Sequence, residues 1–101
     1  MNEKRKAHCP LDVVKKLVGQ GKVRMTFSAV ADASRLEFTV DEVHEAVLSL
    51  TLGDFYKSMT TYADHTVWQD VYRPRTKAGK VYLKLTVIDD VLIVSFKELD
   101  R

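Results

Sequence analysis

The stretch KVYLKLTVIDDVLIVSFK, residues 80–97, decides how this chain folds. Its apolar residues alternate with polar ones over 80–88, and a second β-branched run follows at 91–97. A period of two is the mark of a strand with one face in a core. Val81, Leu83, Leu85 and Val87 then share the core face, and Lys80, Tyr82, Lys84 and Thr86 share the opposite one. If Asp89 and Asp90 form a two-residue hairpin loop, Ile88 pairs with Val91. Counting back along both strands sets Tyr82 across from Lys97 and Lys84 across from Ser95. Such partners lie about 5 Å apart at Cβ, close enough to act on one substrate group.

Upstream, TVWQDVYR (66–73) is a third run of strand type, joined to 80–88 through PRTKAG. An even-numbered loop, either two residues around KA or four in RTKA, puts Gln69, Val71 and Arg73 on the face of Tyr82. An odd loop or a bulge puts Trp68, Asp70 and Tyr72 there instead. The even count is favoured. It yields a sheet face bearing Gln69, Arg73, Tyr82, Lys84 and Lys97, with no acidic residue among them. Such a face has donors for phosphate and a ring for a base or ribose. An ordinary solvated sheet face accounts for the same polar residues, and periodicity does not separate the two readings.

The first half of the chain reads as helices. Pro10 suits a first helical turn, Leu11, Val13, Val14, Leu17 and Val18 form an apolar stripe, and Gly19 and Gly21 end it. KVRMTF (22–27) reads as a short strand, followed by a helical turn over 28–34. Thr39 and Glu42 make a capping box ahead of a helix over 40–50. Thr51 and Asp54 repeat the pattern, which predicts a short helix running to about Ser58 and carrying Lys57. Helices first and a strand meander after them give an α+β class, with N-terminal helices packed on an antiparallel sheet.

A length of 101 residues fits one domain spanning 1–101, with little room for an internal cofactor cavity. No apolar run approaches the roughly 20 residues that span a bilayer, and MNEKRKAHCP lacks the apolar region of a signal peptide, so a cytoplasmic protein is expected. The single cysteine, Cys9, fits a reducing compartment. Glu42, His44 and Glu45 lack a second His or Cys at ligand spacing, so a solvated helix face is expected there and no metal site. Residues 1–54 balance eight basic against eight acidic side chains, whereas 55–97 hold seven basic against four acidic. The second half therefore leans toward a polyanionic partner.

DFYKSMTTY, DHTVWQDVYRPR and VYLKLTVIDDVLIVSFKE closely resemble the MqsR family of bacterial toxin–antitoxin toxins, and the likeness continues more thinly through VKKLV and GKVR. The resemblance implies a RelE-like α+β fold and a metal-independent endoribonuclease that cuts mRNA at GCU-type sites. It also implies no cofactor, no membrane, and an MqsA-like antitoxin with a zinc-binding part and a helix-turn-helix part. DNA is then contacted only through that partner. By the same resemblance the catalytic residues are Lys57 of FYKSM, Gln69 of WQDVY, Tyr82 of VYLK and Lys97 of SFKE. Tyr56 and Met59 flank Lys57 and contact RNA, and Arg73 and Lys84 complete the RNA-binding set. Asp89 stands where a family member has a histidine.

Metal-free RNA cleavage needs a base for the 2′-OH, cations for the charge on phosphorus, and an acid for the leaving 5′-oxygen. Lysine and tyrosine ionise near pH 10, so roughly one in 10³ is deprotonated at neutrality, a cost of about 4 kcal/mol. Neighbouring cations are expected to lower the pKa of Lys57 and of Tyr82. On that reading Lys57 or Tyr82 is the base, Lys97 stabilises charge and Gln69 orients the phosphate or a base edge, so activity climbs toward mildly alkaline pH. His65, with a better-matched pKa, is the competing acid–base group, although its position before a strand suits a turn residue. A non-catalytic RNA- or ribosome-binding module, or a structural partner docking at a strand edge, are the alternatives.

Overall fold

A computed structural model describes residues 1–99. The hairpin read first from the sequence forms strands β6 (Gly79–Ile88) and β7 (Asp90–Glu98), and β4 (Trp68–Tyr72) adds antiparallel to β6. The two-residue step at Lys77–Ala78 is as counted, because Arg75–Thr76, strand β5, pairs with Lys80 and Gly79. Three further strands extend the meander. These are β1 (Glu3–Lys4), β2 (Val23–Met25) and β3 (Phe55–Thr60), giving the order β1-β3-β4-β6-β7-β2 with β2 parallel to β7.

Three helices, α1 (Leu11–Gly19), α2 (Phe27–Arg35) and α3 (Val40–Leu48), cover one face of the sheet. Val14, Val18, Ala29, Ala33, Val43 and Val47 pack there against Tyr72, Val81, Leu83, Leu85, Ile93 and Phe96. Burial of these side chains, worth about 1.5–3 kcal/mol each for the larger ones, holds the two layers together. The capping box before α3 forms in both directions, Thr39 N–H to Glu42 Oε1 at 2.9 Å and Glu42 N–H to Thr39 Oγ1 at 3.1 Å. No helix among the described residues is long and apolar enough to cross a membrane.

Two expectations need correction. The Thr51–Asp54 cap closes, with Thr51 N–H donating to Asp54 Oδ2 at 2.8 Å. It drives only one 3₁₀ turn, Leu52–Asp54, and Lys57 lies on strand β3 rather than at the end of a helix. A local cap is worth about 1 kcal/mol, whereas six residues from Phe55 to Thr60 gain a ladder against β4. The β6–β7 turn is also tighter than a two-residue loop. Ile88 pairs with Asp90, and Asp89 alone reverses the chain at φ 68°, a left-handed conformation that aspartate tolerates better than most residues.

The tighter turn shifts the pairing by one residue, and a bulge shifts it back. Leu85 pairs with Ile93 but Lys84 pairs with Ser95, leaving Val94 as the extra residue. Its carbonyl, freed from the ladder, accepts from Thr26 Oγ1 at 3.1 Å, and Thr26 Oγ1 in turn accepts from Ala29 N–H to cap α2. The expected pairs Tyr82–Lys97 and Lys84–Ser95 are therefore present, by a different route from the one counted.

Candidate active site

The face of the sheet away from the helices gathers most of the side chains that the sequence put forward. Lys57 and Met59 come from β3, Gln69 from β4, Arg73 from just past its end, Tyr82 and Lys84 from β6, and Lys97 from β7. Gln69, Val71 and Arg73 alternate with Asp70 and Tyr72, which turn to the core side, so the even loop is the observed one. Val71 is fully buried and forms the apolar floor of the face, outside the main core. A bulge between Phe55 and Lys57 inserts Tyr56 beside this set. The Arg73 guanidinium lies 3.8 Å from the Tyr56 ring centroid, and Lys57 and Arg5 lie within 5.5 Å of it. Lys97 and Lys84 stand 5.6 and 5.9 Å from the Tyr82 ring.

One carboxylate interrupts this basic face. Glu3, on edge strand β1, pairs in register with Met59 and sets its Oε2 2.6 Å from Lys57 Nζ. Nothing in the sequence marks it, because a two-residue strand has no periodicity to read. The segment around it is held down at several points. Asn2 exchanges bonds with Thr60, through Asn2 N–H to Thr60 Oγ1 at 2.8 Å and Thr60 N–H to Asn2 O at 2.9 Å. Asp70, 2 % exposed, accepts the backbone N–H groups of His8 and Cys9 at 2.9 and 3.0 Å. Lys4 lies 4.0 Å above Trp68, and His8 stacks on the same ring.

Glu3 reverses the electrostatics expected of the site. Its hydrogen bond to Lys57 raises the lysine above its usual range, and the same bond lowers Glu3 below the usual carboxylate range. Burial raises the Tyr82 phenol, outweighing the downward pull of Lys57. Both groups are thus held protonated at neutral pH, contrary to the sequence expectation that their neighbours lower them. Lys84 moves the other way, lowered chiefly by burial and then by Lys97 and Lys57.

His65, Asp89 and Cys9 lie apart from this set. His65 is exposed in the loop between β3 and β4, where Asp64 Oδ1 accepts from the backbone and hydroxyl of Thr66, as suits a turn residue. Asp89 sits at the tip of the β6–β7 hairpin, at the opposite end from Tyr82. Burial raises the Cys9 thiol, which disfavours the thiolate a nucleophile needs. Among the described residues no group of three or more His, Cys, Asp or Glu is arranged to hold a metal ion. A polar cleft of about 670 Å³ lined by Arg73, Arg75, Lys80 and Glu98 meets the face at Arg73. The chemistry available on the face is therefore that of a basic surface with two tyrosines, one amide and the Glu3 carboxylate.

Similarity to known proteins extends over almost the whole chain. A family model described as motility quorum-sensing regulator, toxin of MqsA, matches residues 6–98. The mRNA interferase toxin MqsR of Escherichia coli (strain K12) is 59% identical over 96 residues, covering 95% of this chain and 98% of that protein.

Proposed function

This chain belongs to the family of motility quorum-sensing regulators, the toxins of MqsA, and on that premise we propose that it is an endoribonuclease that cuts mRNA at GCU-type sites and so inhibits translation. The observation that carries this reading is the convergence of Lys57, Gln69, Tyr82 and Lys97 from four strands onto one face, with Arg73 and Lys84 among them. Cations so placed suit the charge that builds on phosphorus as the 2′-oxygen attacks. Lys57 and Lys97 hold the scissile phosphate, and Gln69 orients it or a base edge. Tyr82, kept protonated by burial, is suited to give its proton to the leaving 5′-oxygen. Arg73 and Lys84 hold flanking phosphates, and Tyr56 and Met59 contact bases.

The reaction so described leaves a 2′,3′-cyclic phosphate and a free 5′-OH and routes no step through a metal. The activity belongs in the cytoplasm, restrained by an MqsA-like antitoxin that carries its own zinc-binding part and a helix-turn-helix part. The test is incubation of the purified protein with a defined mRNA, with mapping of new 5′ ends and detection of cyclic phosphate, using Lys57→Ala as control. Salt-sensitive RNA binding without new 5′ ends would instead favour a non-catalytic RNA-binding module.

A further inference from the structure

The cleavage proposed above needs a group to take the proton of the 2′-hydroxyl, and the four family residues do not include a good one. We infer that Glu3 is the proton acceptor, a carboxylate delivered to the edge of the basic face by its own short strand. The inference rests on the ribonuclease reading and adds a role to a residue outside the 6–98 span of the family match.

Three observations carry it. Among the described residues, Glu3 is the one carboxylate hydrogen-bonded to any of Lys57, Gln69, Tyr82 or Lys97. Its contact with Lys57 uses Oε2, and no protein donor among the described residues reaches Oε1, which leaves that oxygen for a substrate hydroxyl. The position is preorganised, because Asn2 is bonded to Thr60 on one side, and on the other Lys4 packs on Trp68 and Asp70 grips His8 and Cys9.

The charges around Glu3 favour the ionised form. Lys57 faces it from β3 and Arg5 from its own segment, and Tyr82 of β6 lies near enough to feel it. A carboxylate in that setting is almost wholly ionised at neutral pH, whereas an unshifted lysine or tyrosine is deprotonated in roughly one molecule in 10³. Lys57, which feels both Glu3 and Tyr82, is then free to bind the phosphate as a cation. In the step, the 2′-oxygen–phosphorus bond forms while the phosphorus–5′-oxygen bond breaks. The 2′-proton passes to Glu3, and the 5′-oxygen takes a proton from Tyr82. Exchange with water returns both groups to their starting states.

Glu3→Gln keeps the size and the strand but removes the base. With an RNA carrying one preferred site, single-turnover cleavage is expected to fall at least about a hundredfold. Binding of the same RNA with a 2′-deoxy scissile nucleotide should stay within about twofold or tighten, since a negative charge has gone. A 5′-bridging phosphorothiolate leaves without a protonating acid, so it should restore Tyr82→Phe but not Glu3→Gln. Cleavage by Glu3→Gln within tenfold of the parent protein overturns the inference. So does rescue of that variant by the thiolate, or a loss of binding that accounts for the slower cleavage. Failure of the parent protein itself to produce cyclic-phosphate ends overturns the ribonuclease reading, and this inference with it.

Discussion

Tyr82 and Lys97 face each other across β6 and β7, with the lysine ammonium 5.6 Å from the phenol ring. Two compensating departures from an ideal hairpin produce this pair, a turn shortened to Asp89 and a bulge at Val94. The pairing matters because Lys97 is exposed and makes no ion pair among the described residues. It is a cation available to a ligand, and Tyr82 is the half-buried group beside it. Lys97→Ala should lower single-turnover RNA cleavage about a hundredfold or more while leaving the melting temperature within a degree or two. A large drop in melting temperature would mean that Lys97 holds the fold.

The bulge is tied to α2 through Thr26, whose hydroxyl donates to Val94 O and accepts from Ala29 N–H. Thr26→Ala removes a helix cap and leaves the Val94 carbonyl without that donor. We expect a loss of about 1–2 kcal/mol in urea unfolding. Cleavage should be reduced modestly, because the register of Tyr82 and Lys97 survives in the folded fraction.

Asp70 acts on the other face, as the buried acceptor for His8 and Cys9. Asp70→Ala leaves two backbone donors without a partner at a cost of about 2–4 kcal/mol. It should also speed hydrogen exchange selectively over residues 2–9, since that segment supplies Glu3. Uniform acceleration across the sheet would show a global effect instead.

The Glu3–Lys57 pair sets a pH window. Glu3 is lowered, so its contribution to holding β1 is present above the ordinary carboxylate range and fades as pH falls through its depressed value. Lys57 is raised, so its contribution is present below the ordinary lysine range and fades only as pH rises through the raised value. Proteolytic nicking of the N-terminal segment should accordingly be minimal across neutral pH and increase below about pH 4. Both side chains are partly solvated, so high salt should narrow that protection.

Arg73 covers Tyr56 at 3.8 Å and is itself exposed. Arg73→Ala should weaken RNA binding with little regard to sequence and reduce the slope of log affinity against log salt by about one. Altered cleavage-site preference with an unchanged slope would instead assign Arg73 to base recognition.

Much of the site was legible because strand alternation is a local property. Val81, Leu83 and Leu85 are apolar, Tyr82 and Lys84 are not, and no pairing scheme puts those two sets on one face. The step at Lys77–Ala78 carried the same parity to Gln69 and Arg73. The sequence alone puts Lys57 on a helix, because a Thr-x-x-Asp cap looks alike before one 3₁₀ turn and before a full helix. The choice was made by pairing with Val71, fourteen residues further on.

The sequence by itself determined the α+β class and the core face of the meander, and its favoured loop parity put Gln69, Arg73, Tyr82, Lys84 and Lys97 on one face. Periodicity and loop parity are written in neighbouring residues, and a burial pattern leaves few ways to satisfy them. Only the tertiary structure decided the charge state of that face. Glu3 and Lys57 are 54 residues apart, joined by an edge strand too short to announce itself and by anchors at Thr60 and Asp70 that the folded sheet alone brings within reach. Coulomb interactions depend on distance in space rather than along the chain.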